Sequence, residues 1–422
     1  MMIKSRISTA DAAGRKRVVV TGLGVISPIG HGQEQFWEGL VNGRSGAGPI
    51  RSFDTSEFKS NIACEVKDFD FARFCPADRA AGYAGVGRAT QLALAAAGLA
   101  VADGGLDAAL SGVDRERAGV VLGTTMGEVQ ILHDIARVTA ASGLPDSDIY
   151  RHYAIHNLPA KLGQHYGLCG PNLIVPTACA SGNYALGLAC DMIREGRVDL
   201  AFAGGVDPID SIVFAGFSRL FSVAPEQCQP FDKNRKGILV GEGAAILLLE
   251  SLDRALARGA RIYAEIAGYG LSCDAHHMTN PDPSVNGTYR AARAAFVDAG
   301  MTGAKVDCIL AHGTGTAAND VAETKLIKRL FGSDAYSIPI SANKSMIGHT
   351  MGGAAAMNAV TACRILTDAC IPPTINYRTP DPGCDLDYVP NEARRATVNV
   401  IMSNAFAFGG NNSTMLFRKW EE

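Results

Sequence analysis

One cysteine and two histidines, far apart in the chain, are the side chains best suited to do chemistry. Cys179 lies in Val175-Pro176-Thr177-Ala178-Cys179-Ala180-Ser181-Gly182. An apolar stretch, residues 173–175, runs into a Pro-Thr turn, and small residues follow the cysteine. Tyr184, Leu188 and Met192 then fall four apart, as do Ala185, Ala189 and Ile193, which predicts a helix starting at or beside Cys179. The unpaired N–H groups and positive dipole end of such a helix favour a thiolate over a thiol. Small neighbours let a substrate carbonyl approach the sulfur. These are the properties of a nucleophile. With 11 cysteines in the chain, most must be structural, so Cys179 needs partners to stand out.

Two histidines supply them. His312 follows the apolar run 308–311 and opens His-Gly-Thr-Gly-Thr, with Thr314 and Thr316 presenting hydroxyls outward. A histidine leaving a buried strand end is where α/β sheets take ligands. Asp320 and Glu323 follow on what reads as the next helix. His349 closes the run that begins Ser341-Ala342-Asn343-Lys344. Lys344 is expected to form a charged cluster with Glu323 and to hold a histidine neutral and in one tautomer. After a last strand, Phe406 and Phe408 flank the flexible Gly409-Gly410. Aromatics there suit a gate, and exposed backbone N–H groups suit an oxyanion.

Other chemistries fail on spacing. Gly22-Leu23-Gly24 lacks the third glycine of a dinucleotide fingerprint, and no phosphate-binding loop or Gly-x-Ser-x-Gly elbow with a plausible triad occurs. Cys273 and His276-His277 have no second ligand cluster, so no metal site is expected. The cysteine count is odd and irregularly spaced with no C-x-x-C, which points to a reducing compartment, the cytoplasm by default. A net charge of −3 with 19% charged residues gives no footprint for nucleic acid. The first apolar run, 18–26, is broken by glycines and too short to span a membrane, and reads as a buried strand.

Elements able to position these groups alternate along all 422 residues, of which 47% are hydrophobic. Strand-like runs at 18–20, 119–122, 200–203 and 245–249 form a first series; runs at 262–267, 308–311, 337–341 and 398–402 form a second. Arg17, an apolar run and Gly-x-Gly are echoed by Arg261, an apolar run and Gly268-Tyr269-Gly270. The strand, turn and small-residue helix holding Cys179 is echoed by the one holding His349, with its helix at about 352–365. We read a duplicated α/β unit, residues 17–255 and 256–422, in which Cys179 and His349 occupy equivalent helix N-termini across a pseudo-twofold axis.

Four of these motifs, in order and spacing, resemble the β-ketoacyl-acyl carrier protein synthases of the thiolase superfamily, most nearly synthase II and its polyketide relatives. They are Thr177–Gly182, His312–Thr316, Lys344–His349 and Asn404–Gly410; Phe231-Asp232-Lys233 through Gly243 and residues 371–376 also fit. The resemblance covers about residues 17–419. It implies a duplicated five-layer α-β-α-β-α fold, usually a homodimer, here a homodimer or a heterodimer with a chain-length partner. It implies decarboxylative condensation of an acyl chain on Cys179 with malonyl carrier, with no metal or organic cofactor and with substrates carried on the phosphopantetheine of acyl carrier protein. His312 and His349 would support decarboxylation, Lys344 and Glu323 would support them, and Thr314 and Thr316 would meet the pantetheine. The N–H groups of Cys179 and Phe408 would form the oxyanion hole, with Phe408 as gate and Phe406 and Phe217 contacting substrate. Degradative thiolases carry a second cysteine where His349 stands, and silent chain-length partners lack the nucleophile, so both fit less well. Met126 falls where an apolar residue sizes the acyl pocket. Gly315, Asn319-Asp320 and residues 214–222 lean toward specialised ketosynthases. Only Arg73, Arg79 and Arg88 remain of a basic carrier-docking patch. Fatty-acid elongation is the leading pathway, a specialised polyketide, polyene or unusual acyl chain the alternative.

Overall fold

The computed structural model describes residues 8–75, 80–83, 85–301, 303 and 305–421. Val18-Val19-Val20 opens the first strand, β-branched residues that suit a pleated, buried surface. The first half contributes β1 Val18–Ser27, β2 Ala118–Gly123, β3 Asn172–Val175, β4 Leu200–Asp207 and β5 Gly243–Ser251. Their order across the sheet is β3-β2-β4-β5-β1, with β2 parallel to β3 and β4, and β5 antiparallel to β4 and β1. The second half contributes β6 Ala264–Cys273, β7 Cys308–Leu310, β8 Ile340–Ser341, β9 Val400–Phe406 and β10 Asn411–Arg418. Their order is β8-β7-β9-β10-β6, with the same pattern of senses. The repeat read in the sequence is a repeat of topology.

In the structure the halves join through their first strands, where Val19 opposes Glu265 and Val20 opposes Ala264.

Helices fill the three remaining layers. Between the two sheets lie α3 Ser181–Arg194 and α6 Ala354–Asp368. Their alanines, among them Ala185, Ala189, Ala356 and Ala359, share one core with Leu247 from one sheet and Leu310 from the other. On the outer face of the first sheet, α1 Arg88–Asp103 and α2 Asn157–Tyr166 pack against Leu122, Phe202 and Leu248. On the outer face of the second, α4 Asn286–Asp298 and α5 Ala317–Phe331 pack against Ile309, Met402 and Leu416. This is the five-layer α-β-α-β-α arrangement. Among the described residues, no helix is long and apolar enough to cross a membrane.

The echoed Gly-x-Gly pairs have one physical cause. A Cβ on Gly24 would stand 1.8 Å from the carbonyl oxygen of Ala96 in α1, and one on Gly270 would stand 2.1 Å from that of Ala291 in α4. In each half, glycine lets the outer helix press onto the half's first strand. The motif that fails as a dinucleotide fingerprint is therefore a packing device.

Gly24→Ala is expected to destabilise the protein by about 1–3 kcal/mol through overpacking, seen as a lower urea midpoint at unchanged slope. Gly216→Ala, in the exposed helix Ser211–Arg219 with nothing within 4 Å of the added methyl, should raise the midpoint or leave it alone.

Candidate active site

Cys179 sits in a tight turn, Ala178–Ala180, that leads into α3. Ala178 holds a φ of 50°, a left-handed conformation that an alanine adopts only under constraint. The constraint is Ser181. Its hydroxyl accepts from the Thr177 N–H at 2.8 Å and lies 2.6 Å from the Ala178 carbonyl oxygen, closing the turn. The cysteine is buried.

His349 reaches it from the other half. Its Nε2 stands 3.1 Å from the Cys179 sulfur. Its Nδ1 accepts the backbone N–H of Met351 at 3.2 Å. An accepting Nδ1 leaves the proton on Nε2, so the imidazole donates to sulfur. The tautomer is thus fixed by a backbone amide, where the sequence reading expects Lys344 to fix it. The His349 main chain is anchored in turn by the first half. Its N–H donates to the Leu239 carbonyl at 2.7 Å, and its carbonyl accepts from Gly241 N–H at 2.9 Å. This is the structural work of the segment leading to Gly243.

His312 leaves the end of β7, and its ring lies edge-on to His349 with centroids 5.6 Å apart. Glu323 and Lys344 meet on its backbone. The Glu323 carboxylate accepts the N–H groups of His312 and Gly313, each at 2.8 Å. The Lys344 ammonium donates to the His312 carbonyl at 2.7 Å. The expected cluster therefore forms, organised around one peptide segment. Asn404 extends it, donating to Glu323 at 3.1 Å.

Burial sets the protonation states. It pushes both histidines well below their ordinary range, and the Lys344 charge adds to the effect, so both are neutral at physiological pH. Burial also lowers the Lys344 ammonium and raises the Glu323 carboxyl. Cys179 is pushed up to about 11 by burial, against the pull of Lys344 and of the Cys179 and Phe408 backbone N–H groups. The expected thiolate is therefore a resting thiol, because desolvation outweighs the helix end.

A cavity of about 410 Å³ opens onto these groups. Thr314, Thr316, Phe217, Phe406 and Phe408 line it with the cysteine and both histidines. The two threonine hydroxyls are 2.9 Å apart. Phe217 and Phe408 pair with ring centroids at 5.9 Å, and Phe408 stays 37% exposed, as a movable gate requires. Met126 packs into an apolar cluster with Phe214 and Met351, beside the cavity lining and not within it. Asp207 accepts its N–H at 2.9 Å and fixes that turn. The basic patch also thins: Arg73 is exposed, Arg88 is bonded to Glu242 at 2.6 Å, and Arg79 lies outside the described residues.

The duplication relates the two helix starts but corrects the pairing. Met351, with φ of 47°, precedes Gly352 in the turn before α6 as Ala178 precedes Cys179. The residue equivalent to Cys179 is Gly352, and His349 stands three positions upstream. Sequence reading passed over Asp207 and placed Asn404 in a motif without a role of its own; the one signal for either was a polar residue in or ending an apolar strand.

The beta-ketoacyl synthase N-terminal domain matches residues 15–255, and its C-terminal domain matches residues 263–378. The chain belongs to the beta-ketoacyl synthase family. It is 40% identical over 416 residues to a 3-oxoacyl-[acyl-carrier-protein] synthase 2 of Synechocystis sp., covering 96% of this chain and 99% of that one. It is 38% identical to nodulation protein E of Rhizobium meliloti, again over 96% and 99% of the two chains. Among solved structures, the ishigamide ketosynthase/chain length factor superposes with a TM-score of 0.90 at 44% identity, covering 96% and 100% of the chains. A ketosynthase bound to its type II acyl-carrier protein superposes at 0.88 with 32% identity, over 96% and 100%. In the family's terms, the site joins a buried cysteine from the first domain to two histidines from the second.

Alkylation of Cys179 by iodoacetamide, followed by peptide mass spectrometry, is expected to keep accelerating from about pH 8 to about pH 10, where an ordinary thiol levels off. The sign follows from the raised pKa: the thiolate fraction is still growing across that window. A plateau near pH 8, or label on Cys190 in place of Cys179, counts against this assignment.

Proposed function

We propose that the protein catalyses decarboxylative Claisen condensation, joining an acyl group held on Cys179 to malonyl-acyl carrier protein and giving 3-oxoacyl-acyl carrier protein. The observation that carries the reading is the pair of neutral histidines beside a buried cysteine, with His349 fixed as a donor. No group there is poised as a base strong enough for an ordinary C–H, and loss of CO₂ makes a carbanion without one.

In the first step the Cys179 sulfur attacks the acyl-carrier thioester. A new C–S bond forms, the carrier C–S bond breaks, and the cysteine proton ends on the departing carrier thiol. The N–H groups of Cys179 and Phe408 face the sulfur and serve the tetrahedral oxyanion. In the second step malonyl carrier enters with its pantetheine along Thr314 and Thr316. The C–C bond to the carboxylate breaks, CO₂ leaves, and its electron pair passes to an enolate that accepts N–H bonds from His312 and His349. In the third step the carbanion attacks the acyl-Cys179 carbonyl. The C–S bond breaks, and the thiolate regains a proton from solvent.

The reaction needs no metal or organic cofactor of the protein's own, because phosphopantetheine arrives on the carrier. The homodimer is the proposed assembly, and the cytoplasm the proposed compartment, supported by cysteines that are all free among the described residues. Names of curated relatives favour fatty-acid elongation. The 44% identity to the ishigamide ketosynthase favours a specialised chain as the second reading.

Cys179→Ala is expected to abolish condensation. His349→Ala should impair malonyl-carrier decarboxylation more than self-acylation, by about 10²-fold, because its N–H is lost from the enolate. Equal loss of both half-reactions would contradict that division. A panel of acyl-carrier primers of increasing length, read by product mass, separates the pathways: products of ordinary saturated length support elongation, and preference for unsaturated polyketide-like primers supports the second reading.

A further inference from the structure

The duplicated fold makes two equivalent helix starts, and only one is open. At Cys179 the backbone N–H lies against the cysteine's own sulfur, beside the cavity that Cys179 lines. At Gly352 the equivalent N–H donates to the Asp207 carboxylate at 2.7 Å. Asp207 is fully buried at the end of β4, and all of its described partners are donors. They are the Thr124 hydroxyl at 2.7 Å, Thr125 N–H at 2.8 Å, Met126 N–H at 2.9 Å and Gly352 N–H. The Thr124 oxygen itself accepts from Gly127 N–H at 2.8 Å, so its proton is free to point at Asp207. Three of the four partners are backbone N–H groups that can only donate, and the Thr124 oxygen already accepts from Gly127 N–H. Burial raises the Asp207 carboxyl above its ordinary range, and the four donors oppose that rise.

This carboxylate touches both catalytic arms. Gly352 is the next residue after Met351, whose N–H fixes the His349 tautomer. The Thr124 carbonyl lies 3.1 Å from the Ser181 hydroxyl that closes the Cys179 turn. Space is tight as well, since a Cβ on Gly352 would stand 2.8 Å from an Asp207 oxygen.

We propose that Asp207 is a positioning residue for condensation: its carboxylate, held by four donors, closes the helix start equivalent to the nucleophile's and, through Gly352 and Met351, keeps His349 donating to the Cys179 sulfur. This rests on the condensing reading above. The charged groups around Cys179 are Lys344, which favours its thiolate, and Asp207, which opposes it; His312 and His349 are neutral. Asp207 thus accepts a less reactive resting thiol in return for a fixed histidine.

The test uses Asp207→Asn, Asp207→Glu and Thr124→Val in the full-length enzyme. In Asp207→Asn the amide turns a donor toward backbone N–H groups and the charge is lost. Condensation should fall on the order of tenfold or more, while the pH midpoint for alkylation of Cys179 moves to lower pH. Asp207→Glu keeps the charge and should hold the midpoint near the parent's. Thr124→Val removes the hydroxyl's two hydrogen bonds, to Asp207 and from Gly127, and no charge, and should also leave the midpoint in place. A merely structural Asp207 would lower activity and stability without moving the midpoint downward, and that result overturns the proposal. So does condensation within about twofold of the parent. Absence of malonyl-carrier decarboxylation by the parent enzyme would instead overturn the condensing reading, leaving the alkylation measurements to judge Asp207.

Discussion

The close packing of α3 against α6 in the central layer is the contact on which the rest depends. A Cβ on Gly182 would stand 2.8 Å from the Ala356 N and 2.9 Å from the Gly352 carbonyl oxygen. Only small residues allow two helix starts to approach so closely. That approach brings a cysteine from one half and a histidine from the other within 3.1 Å. The alanine-rich faces of both helices, and the glycines at strand ends beneath them, are consequences of this one spacing. Replacing them with larger side chains would separate the reacting groups before it unfolded the chain.

The same packing buries the cysteine and both histidines, and desolvation then governs the electrostatics. Both histidines stay neutral, and the cysteine rests as a thiol despite its helix end. A buried charge is tolerated only where donors or acceptors surround it. Glu323 takes two backbone N–H groups, Lys344 finds a carbonyl, and Asp207 takes a hydroxyl and three N–H groups. Each of these charges therefore fixes a loop that carries a reacting group or its neighbour. The charged residues act chiefly as geometric clamps, and the neutral cysteine and histidines line the cavity.

Duplication explains why the site is asymmetric. Two equal halves supply two equal helix starts. A cysteine opens one to the cavity, and an aspartate shuts the other. The shut start then orients the histidine that serves the open one, so a symmetric frame gives a directed reaction centre.

Much of this was legible in the residues themselves. Periodicity and strand-ending glycines gave the repeat, because burial imposes the same local pattern wherever a sheet is covered on both faces. Cys179, His312 and His349 stood out because strand ends and helix starts are marked by turn residues in the chain, and their order resembled a known family. What the chain alone could not show were relations between its two halves. The residue pairing with Cys179 across the repeat proved to be Gly352, and a backbone N–H chose the histidine tautomer. Asp207 looked like an ordinary residue ending an apolar strand. Hydrogen-bond direction, desolvation and the proximity of residues more than a hundred positions apart are set by the folded packing, so only the tertiary structure decided them.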